Sequence, residues 1–422
     1  MSKIQMSTRL STFSSGVVKD EASHTLRHTV LMATLTFIAM VPVTMLVAPL
    51  KELISLRYGA SAFATHSFMS VNMIGAIIFA PLMFLWVDIR NHRKRVAVFA
   101  LAADAVLLSL MALMPNLALI LIVRFFEGAA HILALSTLMA MASAWAGEGR
   151  RGRVMGLVGT AMMFGTACGT RIGGLIWEHI VVPEWTFHIA GMIAAVAALC
   201  TQLFAAEPAA QGEARHRSRD VLQTLRQTPN LLIAFFYAFI DRLCVGVLIT
   251  TFCLFLADVH GLDPSARSRL LLMFLLPFAS LVYPAGRLVD RLGRVWPIVL
   301  GSLGFGIIFS FYGVLSLSGL YWIMILSGVL SASMFAANLT LCTDLTPVSQ
   351  RGAAFTGFNM AGSLGFLLGP LFAGGLFATL SNHMVTLAAY QWTFLVAGGA
   401  EILCAAVTLP MLLRLKRSGS VA

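Results

Sequence analysis

GRLVDRLGR, from Gly286 to Arg294, is a short polar stretch between two long apolar runs. Apolar runs of about 20 residues match the thickness of a bilayer, and lipid offers no hydrogen-bond partner to exposed backbone, so such runs are predicted to be membrane helices. Glycine in the stretch lets two helices approach, and Asp290 can accept hydrogen bonds from the positive N-terminus of a neighbouring helix. The arginines can pair with that carboxylate or with anionic lipid headgroups. The stretch therefore predicts a tight, charged connection between two membrane helices.

The rest of the chain repeats this apolar pattern. Of the 422 residues, 59% are hydrophobic and 11% are charged, against roughly 25% charged in soluble proteins, which excludes a water-soluble fold. Twelve membrane spans are predicted, at residues 29–50, 62–86, 95–114, 117–145, 153–178, 186–206, 230–257, 268–288, 295–315, 320–342, 352–379 and 386–412. No apolar core with a cleavage site precedes the first span, so a removable signal peptide is not expected.

The distribution of positive charge predicts the orientation in the membrane. The chain has a net charge of +11 and 29 Lys and Arg residues. If both termini are cytoplasmic, three of these residues lie within helices, and four lie on the external side of the membrane, at Lys51, Arg57, Arg267 and Arg269. The remaining 22 of the 29 lie on the cytoplasmic side. This excess predicts a multi-pass protein of the cell (inner or plasma) membrane, with membrane lipids as partners of the basic loops. The basic residues are not interleaved with aromatic ones on a solvated face, so no nucleic-acid partner is predicted.

The sequence carries an internal repeat at an offset of 200 residues. Five glycines of the first half correspond in register to five of the second, and these pairs are Gly128 and Gly328, Gly152 and Gly352, Gly165 and Gly365, Gly169 and Gly369, and Gly174 and Gly374. An arginine precedes both members of the second pair, at Arg151 and Arg351. Asp88 and Asp290 correspond at an offset of 202. We therefore expect an all-α polytopic fold of two pseudo-symmetric six-helix bundles, residues 29–206 and 230–412. Cytoplasmic segments are predicted at residues 1–28, 207–229 and 413–422.

The stretch that begins at Gly286 resembles the signature loop of the major facilitator superfamily. The resemblance implies a gating role for the positions that match the motif, which are Gly286, Asp290, Arg291, Gly293 and Arg294. The matching loop after the second span keeps Asp88 and a basic cluster but lacks both glycines. The superfamily resemblance also implies that the two halves rock against each other around a site at the membrane midplane.

The fourth span contains Arg124-Phe-Phe-Glu127-Gly128, a charged patch within an apolar run. Helical spacing places Arg124, Glu127 and His131 near one face, and each charge at membrane depth costs roughly 2.5–3.5 kcal/mol. Such residues therefore face a cavity or a partner. The patch resembles the RxxQG motif of the same superfamily, with Glu127 adding a protonatable group. A static Arg–Glu pair that locks helices is the alternative interpretation.

Other ionisable residues within spans are Asp104, the adjacent Asp241 and Arg242, and Glu401. Proton coupling needs a buried carboxyl near a cation. In the resembled family the first, fourth, seventh and tenth helices line the cavity. This favours Glu127 and Asp241 as the proton-coupling residues, and it makes Asn338 of the tenth span a further candidate for the site. Asp104 and Glu401 fit equally well near helix ends or on packing faces.

Glycine stripes run along the fifth and eleventh spans, at Gly165, Gly169 and Gly173 and at Gly365 and Gly369. Small residues at this spacing let another helix pack closely and slide. The stripes, with Pro370 in the second, resemble the antiporter motif of drug/proton exporters. In the first stripe Thr170 replaces the expected proline and Arg171 adds a charge. Ordinary helix packing accounts for the same glycines.

These features predict a secondary active transporter that moves a small, amphipathic molecule by alternating access, with a proton as the coupling ion and efflux as the direction. One alternative is a permease or exporter of an anionic metabolite, bound by Arg124, Arg171 and Arg242. Another is a transporter-like sensor that moves nothing. The sequence shows no nucleotide-binding loop, nucleophile triad or metal-ligand spacing, so no enzyme activity, cofactor or metal is expected, and we predict a monomer.

Overall fold

The computed structural model describes residues 26–89, 92–146, 151–180, 182–208, 218–347 and 350–418, with the side chains of residues 80–89, 151–153 and 218–220 outside that description. The described residues form helices joined by turns, and they include no β-strand. In the first half the helices are α1 Leu26–Thr44, α2 Ala62–Ile89, α3 Arg93–Met111, α4 Leu117–Ala146, α5 Arg151–His179 and α6 Glu184–Phe204. The short helix α7, Ser218–Gln227, follows. In the second half they are α8 Leu231–Asp258, α9 Pro264–Leu292, α10 Val295–Ser310, α11 Leu317–Asp344, α12 Arg351–Ser381 and α13 Thr386–Arg417.

Each of the twelve predicted spans is a helix, and the predicted all-α, twelve-helix architecture is confirmed. Nine of the described helices are long and apolar enough to cross a membrane by length and composition alone. The other three long helices are α3 and α5, which carry several charges, and α10, an apolar helix of 16 residues. The boundaries assigned to the bundles, the linker and the tails stay predictions.

Two local differences from the sequence predictions have physical causes, and a third is a short helix within the predicted linker. The first helix ends at Thr44 and not at residue 50, because Pro49 lacks an N–H and disfavours a continuous helix before it. Helix α9 continues through most of the polar stretch, and Gly293 ends it with a φ of 81° that suits glycine. The predicted linker contains the helix α7.

Two π-helical turns interrupt the regular helices. One is Lys51–Leu56, shortly after α1, and the other is Leu248–Phe252 within α8. Since α1 and α8 are the first helices of their halves, the turns lie at equivalent ends of equivalent helices. Such turns are rare and occur often at functional sites.

The two halves meet through a symmetric pair of helix contacts. Helix α5 packs against α9, and α12 packs against α2. Within the first half α2 and α3 pack on α4, and within the second half α9 and α10 pack on α11. The contact pattern therefore repeats between the halves, as the sequence repeat predicts.

The two glycine stripes bind equivalent helices within their own halves. A Cβ on Gly169 would lie 2.4 Å from the Val41 carbonyl oxygen of α1, and one on Gly369 would lie 2.4 Å from the Leu243 carbonyl oxygen of α8. Any larger side chain would push these backbones apart. The stripes thus set the distance of α1 and α8 from their neighbours.

Candidate functional site

The first bundle contains a buried ion pair on α4. Arg124 Nη1 lies 2.9 Å from Glu127 Oε2, and both side chains are almost fully enclosed. Asn72 of α2 donates to the same carboxylate oxygen at 2.7 Å. Glu127 Oε1 is buried without a hydrogen-bond partner in the described part of the chain. The Arg124 guanidinium also lies 4.9 Å from the centre of the Phe68 ring, a cation–π contact.

A second polar pair extends this site. His131 Nδ1 lies 3.4 Å from Asp104 Oδ2 of α3, and ligand atoms of Asp104, Glu127 and His131 lie within 4.8 Å of one another. By residue type this trio could hold a cation. However, Arg124 already places a fixed positive charge against Glu127, which opposes a metal ion there. The trio is therefore poorly suited to binding a metal ion.

Backbone packing explains how this site forms. A Cβ on Gly128 would lie 1.9 Å from the Asn72 carbonyl oxygen, and one on Gly75 would lie 1.8 Å from the Phe125 carbonyl oxygen. Helices α2 and α4 therefore touch backbone to backbone at two reciprocal points. This approach brings the Asn72 amide within reach of Glu127, which lies next to Gly128 in the sequence.

The second bundle contains a different polar cluster, around a cavity of about 10 Å³. The cavity lies between α8, α10, α11 and α13, and its lining residues are Tyr237, Asp241, Ser302, Met334, Phe335, Asn338 and Glu401. Glu401 is fully buried, and it accepts a hydrogen bond from the Ser302 hydroxyl and a longer one, of 3.7 Å, from the Cys244 thiol. A volume of this size accommodates one water molecule.

Arg242 lies beside this cluster but is oriented by aromatic rings. Its Nε lies 3.6 Å from Asp241 Oδ2. Its guanidinium lies 5.1 Å from the centre of the Phe335 ring and 5.3 Å from that of Phe366. Arg242 is therefore held between two rings and gives Asp241 only a distant positive charge.

Ionic contacts join the halves at the end of the molecule opposite the termini. A buried ion pair connects Glu52 of the first half with Arg267 of the second. Lys51 Nζ lies 2.5 Å from Asp258, whose other carboxylate oxygen accepts from the Tyr390 hydroxyl at 2.5 Å. We call this region, defined by Glu52, Arg267, Lys51, Asp258 and Tyr390, the closed end.

Hydrogen bonds near the closed end also cross between the halves. Arg171 Nη1 of α5 donates to the hydroxyls of Ser265 at 3.1 Å and Ser268 at 2.9 Å, both in α9. His66 Nε2 of α2 lies 3.1 Å from the Thr251 hydroxyl in the π-helical turn of α8. The charge that Arg171 adds to the glycine stripe thus bonds to the other half.

The polar stretch at the end of α9 makes local contacts. Asp290 is largely exposed and lies 3.6 Å from Arg294, which in turn forms a 2.7 Å bond to Asp344 at the end of α11. Open space surrounds Gly286, and Arg291 is exposed. The side chain of Asp88 lies outside the described residues. In this conformation the stretch ties α9 to α11.

Sequence reasoning placed Arg124, Glu127 and His131 together, but it did not identify several of their partners. It missed Asn72 as a partner of Glu127. It also counted Arg267 among the residues on the non-cytoplasmic side without identifying it as a fully buried member of an ion pair. Glu52 and Arg267 are 215 residues apart. No local signal in one sequence could have paired them.

A helical membrane protein with repeated halves that meet at one end has the architecture of an alternating-access carrier. Residues 32–263 and 231–421 each match the family profile described as Major Facilitator Superfamily. The chain belongs to this superfamily of transporters.

Similarity to individual proteins covers shorter parts of the chain. "Multidrug resistance protein 2" of Bacillus subtilis (strain 168) is 32% identical over 147 residues, which are 35% of this chain and 36% of that protein. A protein of Agrobacterium vitis named for tartrate transport is 25% identical over 191 residues, 44% of this chain and 42% of that protein. The chain thus matches only about two fifths of the length of these curated relatives.

Solved structures share the fold across nearly the whole chain. A mutant of the nucleoside transporter NupG superposes with a TM-score of 0.78 at 14% identity, covering 91% of this chain and 99% of that one. A bacterial homolog of the human lysosomal transporter Spinster, inward-facing and occupied, gives a TM-score of 0.72 at 16% identity, covering 94% and 97%. At these identities the likeness concerns the fold alone.

Proposed function

We propose that this protein is a proton-coupled secondary transporter that exports a small amphipathic molecule by alternating access. The observation that carries the proposal is the buried Glu127, bonded to Arg124 and Asn72 and left with one free carboxylate oxygen among the described residues. A carboxyl at membrane depth is costly unless it is paired or works in ion transfer. Asp241 remains a second candidate for the proton, as the sequence suggests.

Protonation of Glu127 would change contacts that lead to the other half. The charged carboxylate holds both Arg124 and the Asn72 amide, whereas a neutral carboxyl attracts a guanidinium much less. Asn72 lies in α2, and Ser70 of the same helix donates to the Leu367 carbonyl oxygen of α12 at 2.8 Å. Release of Asn72 would thus loosen a helix that forms half of the symmetric contact between the bundles.

The neighbouring pair, His131 and Asp104, provides a second place for the proton. Imidazole exchanges protons near neutral pH. Asp104, the carboxylate partner of His131, is fully buried. A proton could pass between this pair and Glu127, because their ligand atoms lie within 4.8 Å of one another. Arg124 would regain its ionic partner each time Glu127 gives up the proton.

The closed end indicates which side this conformation faces. If both termini are cytoplasmic, as the charge distribution predicts, the contacts of the closed end seal the molecule toward the outside. The conformation then corresponds to the inward-facing state of a carrier in the cell membrane. Opening to the other side would require breaking the Glu52–Arg267 and Lys51–Asp258 pairs.

An amphipathic substrate is supported by Met and Phe side chains of the first and tenth spans, two of the spans expected to line the cavity, and by one relative. Met40 and Phe335 are partly exposed, while Met45 and Met334 are buried. Flexible thioethers and aromatic rings accept varied apolar shapes. The similarity to a multidrug resistance protein over a third of the chain favours the same substrate class.

Export or uptake of an anionic metabolite is the second candidate, favoured by the relative named for tartrate transport. Binding an anion would need a positively charged side chain in the cavity that is not already paired within the protein. Arg124 is paired with Glu127, Arg171 with two serines, and Arg242 with two rings. These occupied guanidinium groups make this candidate the weaker one.

The test uses the full chain reconstituted in liposomes with an imposed pH gradient and the cationic dyes ethidium and rhodamine 6G. We expect gradient-driven dye movement, with a loss of about tenfold or more in Glu127→Gln, a change equal to about 1.4 kcal/mol. Glu184→Gln is the matched control, because Glu184 forms a half-buried pair with Arg57 at 3.3 Å, away from both buried polar clusters. Full gradient-driven accumulation by both Glu127→Gln and Asp241→Asn would refute proton exchange at these carboxyls.

Tartrate movement without dye movement would favour the anion transporter, and absence of any transport would favour a sensor.

A further inference from the structure

The small cavity of the second bundle is richer in hydrogen-bond acceptors than in donors. We propose that this cavity binds one sodium ion, held by oxygen atoms of Asp241, Glu401 and Asn338. These two acidic residues and one asparagine line a space of about 10 Å³, which is the size of one water molecule or one dehydrated monovalent ion. Hard cations such as sodium prefer oxygen ligands of these types.

Glu401 lacks the positive partner that a buried carboxylate requires. Its hydrogen bonds come from the neutral Ser302 hydroxyl and Cys244 thiol, and no ion pair to it occurs among the described residues. An unpaired buried carboxylate is strongly disfavoured. Glu127 in the first bundle has Arg124 for this purpose, whereas Glu401 in the second bundle faces the cavity instead.

Asn338 gives an independent indication of a ligand. Its Nδ2 donates to the Ala234 carbonyl oxygen at 3.1 Å, which fixes the orientation of the amide. Its Oδ1 then lies in the bundle interior without a hydrogen-bond partner in the described part of the chain, and the side chain is almost completely buried. Leaving a buried acceptor unsatisfied is unfavourable. A cation in the cavity would satisfy it directly.

The tyrosine on the cavity wall can contribute a further oxygen. The hydroxyls of Tyr237 and Thr408 lie 2.7 Å apart, and Thr408 also lies 2.7 Å from the Cys404 carbonyl oxygen. If Thr408 donates to that carbonyl, Tyr237 donates to Thr408 and keeps its lone pairs for the cavity.

The charges nearby select a monovalent ion. Asp241 and Glu401 together contribute two negative charges when ionised, and Arg242, 3.6 Å from Asp241, contributes one positive charge. One sodium ion therefore makes the cluster neutral, while a divalent ion would leave it positive. A proton on one carboxyl would also balance the charge, but it would not require the oxygen of Asn338.

Binding of sodium is independent of the proposed substrate, of the direction of transport and of proton exchange at Glu127, although it shares Asp241 with the second candidate for the proton. The test is a thermal unfolding measurement on the purified full chain in detergent at pH 8, with NaCl replacing choline chloride at constant ionic strength. We expect sodium to raise the unfolding temperature with a saturable dependence. Binding of ²²Na⁺ should then reach one ion per chain.

Three variants locate the site. Asn338→Ala and Glu401→Gln should each weaken the apparent sodium affinity at least about tenfold, while Glu127→Gln should leave it unchanged. If Glu401→Gln fails to fold, the apparent sodium affinity of Asn338→Ala alone shows whether the ion binds in this cavity. Absence of any sodium-specific effect, loss of the effect in Glu127→Gln alone, or stabilisation that follows pH but not sodium would each overturn the proposal. The last outcome would identify a proton site.

Discussion

The two bundles share a backbone frame but hold their buried carboxyl groups in different ways. In the first bundle Glu127 has a guanidinium and an amide as partners. In the second bundle Glu401 has a hydroxyl, a thiol and a small cavity. A carboxyl with a built-in cation can gain and lose a proton within a fixed network, whereas one without a cation needs a neutralising ligand.

The equivalents of the α4 site show how far the halves have diverged. At the offset of 200 residues, Arg124, Glu127 and His131 correspond to Met324, Ser327 and Ser331. Ser327 accepts a hydrogen bond of 2.8 Å from Tyr312, so a neutral pair occupies the place of the ionic one. The duplicated frame therefore tolerates either an ionic or a neutral interior at this position.

The largest loss of stability is expected for Arg124→Met. This substitution gives the first bundle the residue that the second bundle has at the equivalent position, Met324. This change leaves Glu127 charged and without its cation, which should lower the free energy of unfolding by about 3–5 kcal/mol. Adding Glu127→Gln removes the stranded charge and should restore most of that loss. Thermal and denaturant unfolding of the purified protein measures both. A double variant no more stable than Arg124→Met would show that the two residues are not coupled.

An intermediate effect is expected from glycines of the shared frame. Gly128→Ala would place a Cβ 1.9 Å from the Asn72 carbonyl oxygen, and Gly328→Ala would place one 2.4 Å from that of Phe274. Each should cost about 1–3 kcal/mol, since a packed interface must open. Gly159→Ala is the control, because open space surrounds it and alanine favours helix by up to about 1 kcal/mol. If unfolding measurements showed that only one of Gly128→Ala and Gly328→Ala is destabilised, the two halves would not be packed equivalently at these glycines.

The smallest effect is expected for Tyr312→Phe in the second bundle. It removes one neutral hydrogen bond to Ser327, which should cost about 0.5–1.5 kcal/mol. Unlike Glu127→Gln, it should leave the pH dependence of dye transport in liposomes unchanged. A shifted pH profile would mean that the second-bundle equivalent of the ionic site also takes part in coupling.

The fold was predictable because its main signal is local. A run of about 20 apolar residues specifies a membrane helix without reference to the rest of the chain, and the Gly128–Gly328 type of match reveals the duplication. Local rules failed where a single residue interrupts a run. Pro49 shortened the first helix, and α9 runs beyond the predicted end at residue 288 to Leu292, where Gly293 ends it.

The candidate site was only partly predictable, because half of it comes from other helices. Helical periodicity aligned Arg124 with Glu127, but no spacing rule connects either residue with Asn72. Asp104 and Glu401 fitted helix ends or packing faces as well as a site, and the structure places both in buried polar clusters. Counting charges placed Arg267 on the non-cytoplasmic side but could not reveal its buried partner Glu52, because a buried pair and a solvated charge look alike at the end of a span.

The two π-helical turns make the closed end sensitive to the length of the chain. An α-helix turns by about 100° per residue, and a π-turn accommodates one residue more than a regular turn. Deleting a single residue within Leu248–Phe252 would therefore swing Asp258 about a quarter of a circle away from Lys51 and Tyr390. The ion pair between Lys51 and Asp258, which joins the halves, therefore depends on this extra residue as well as on its own charges.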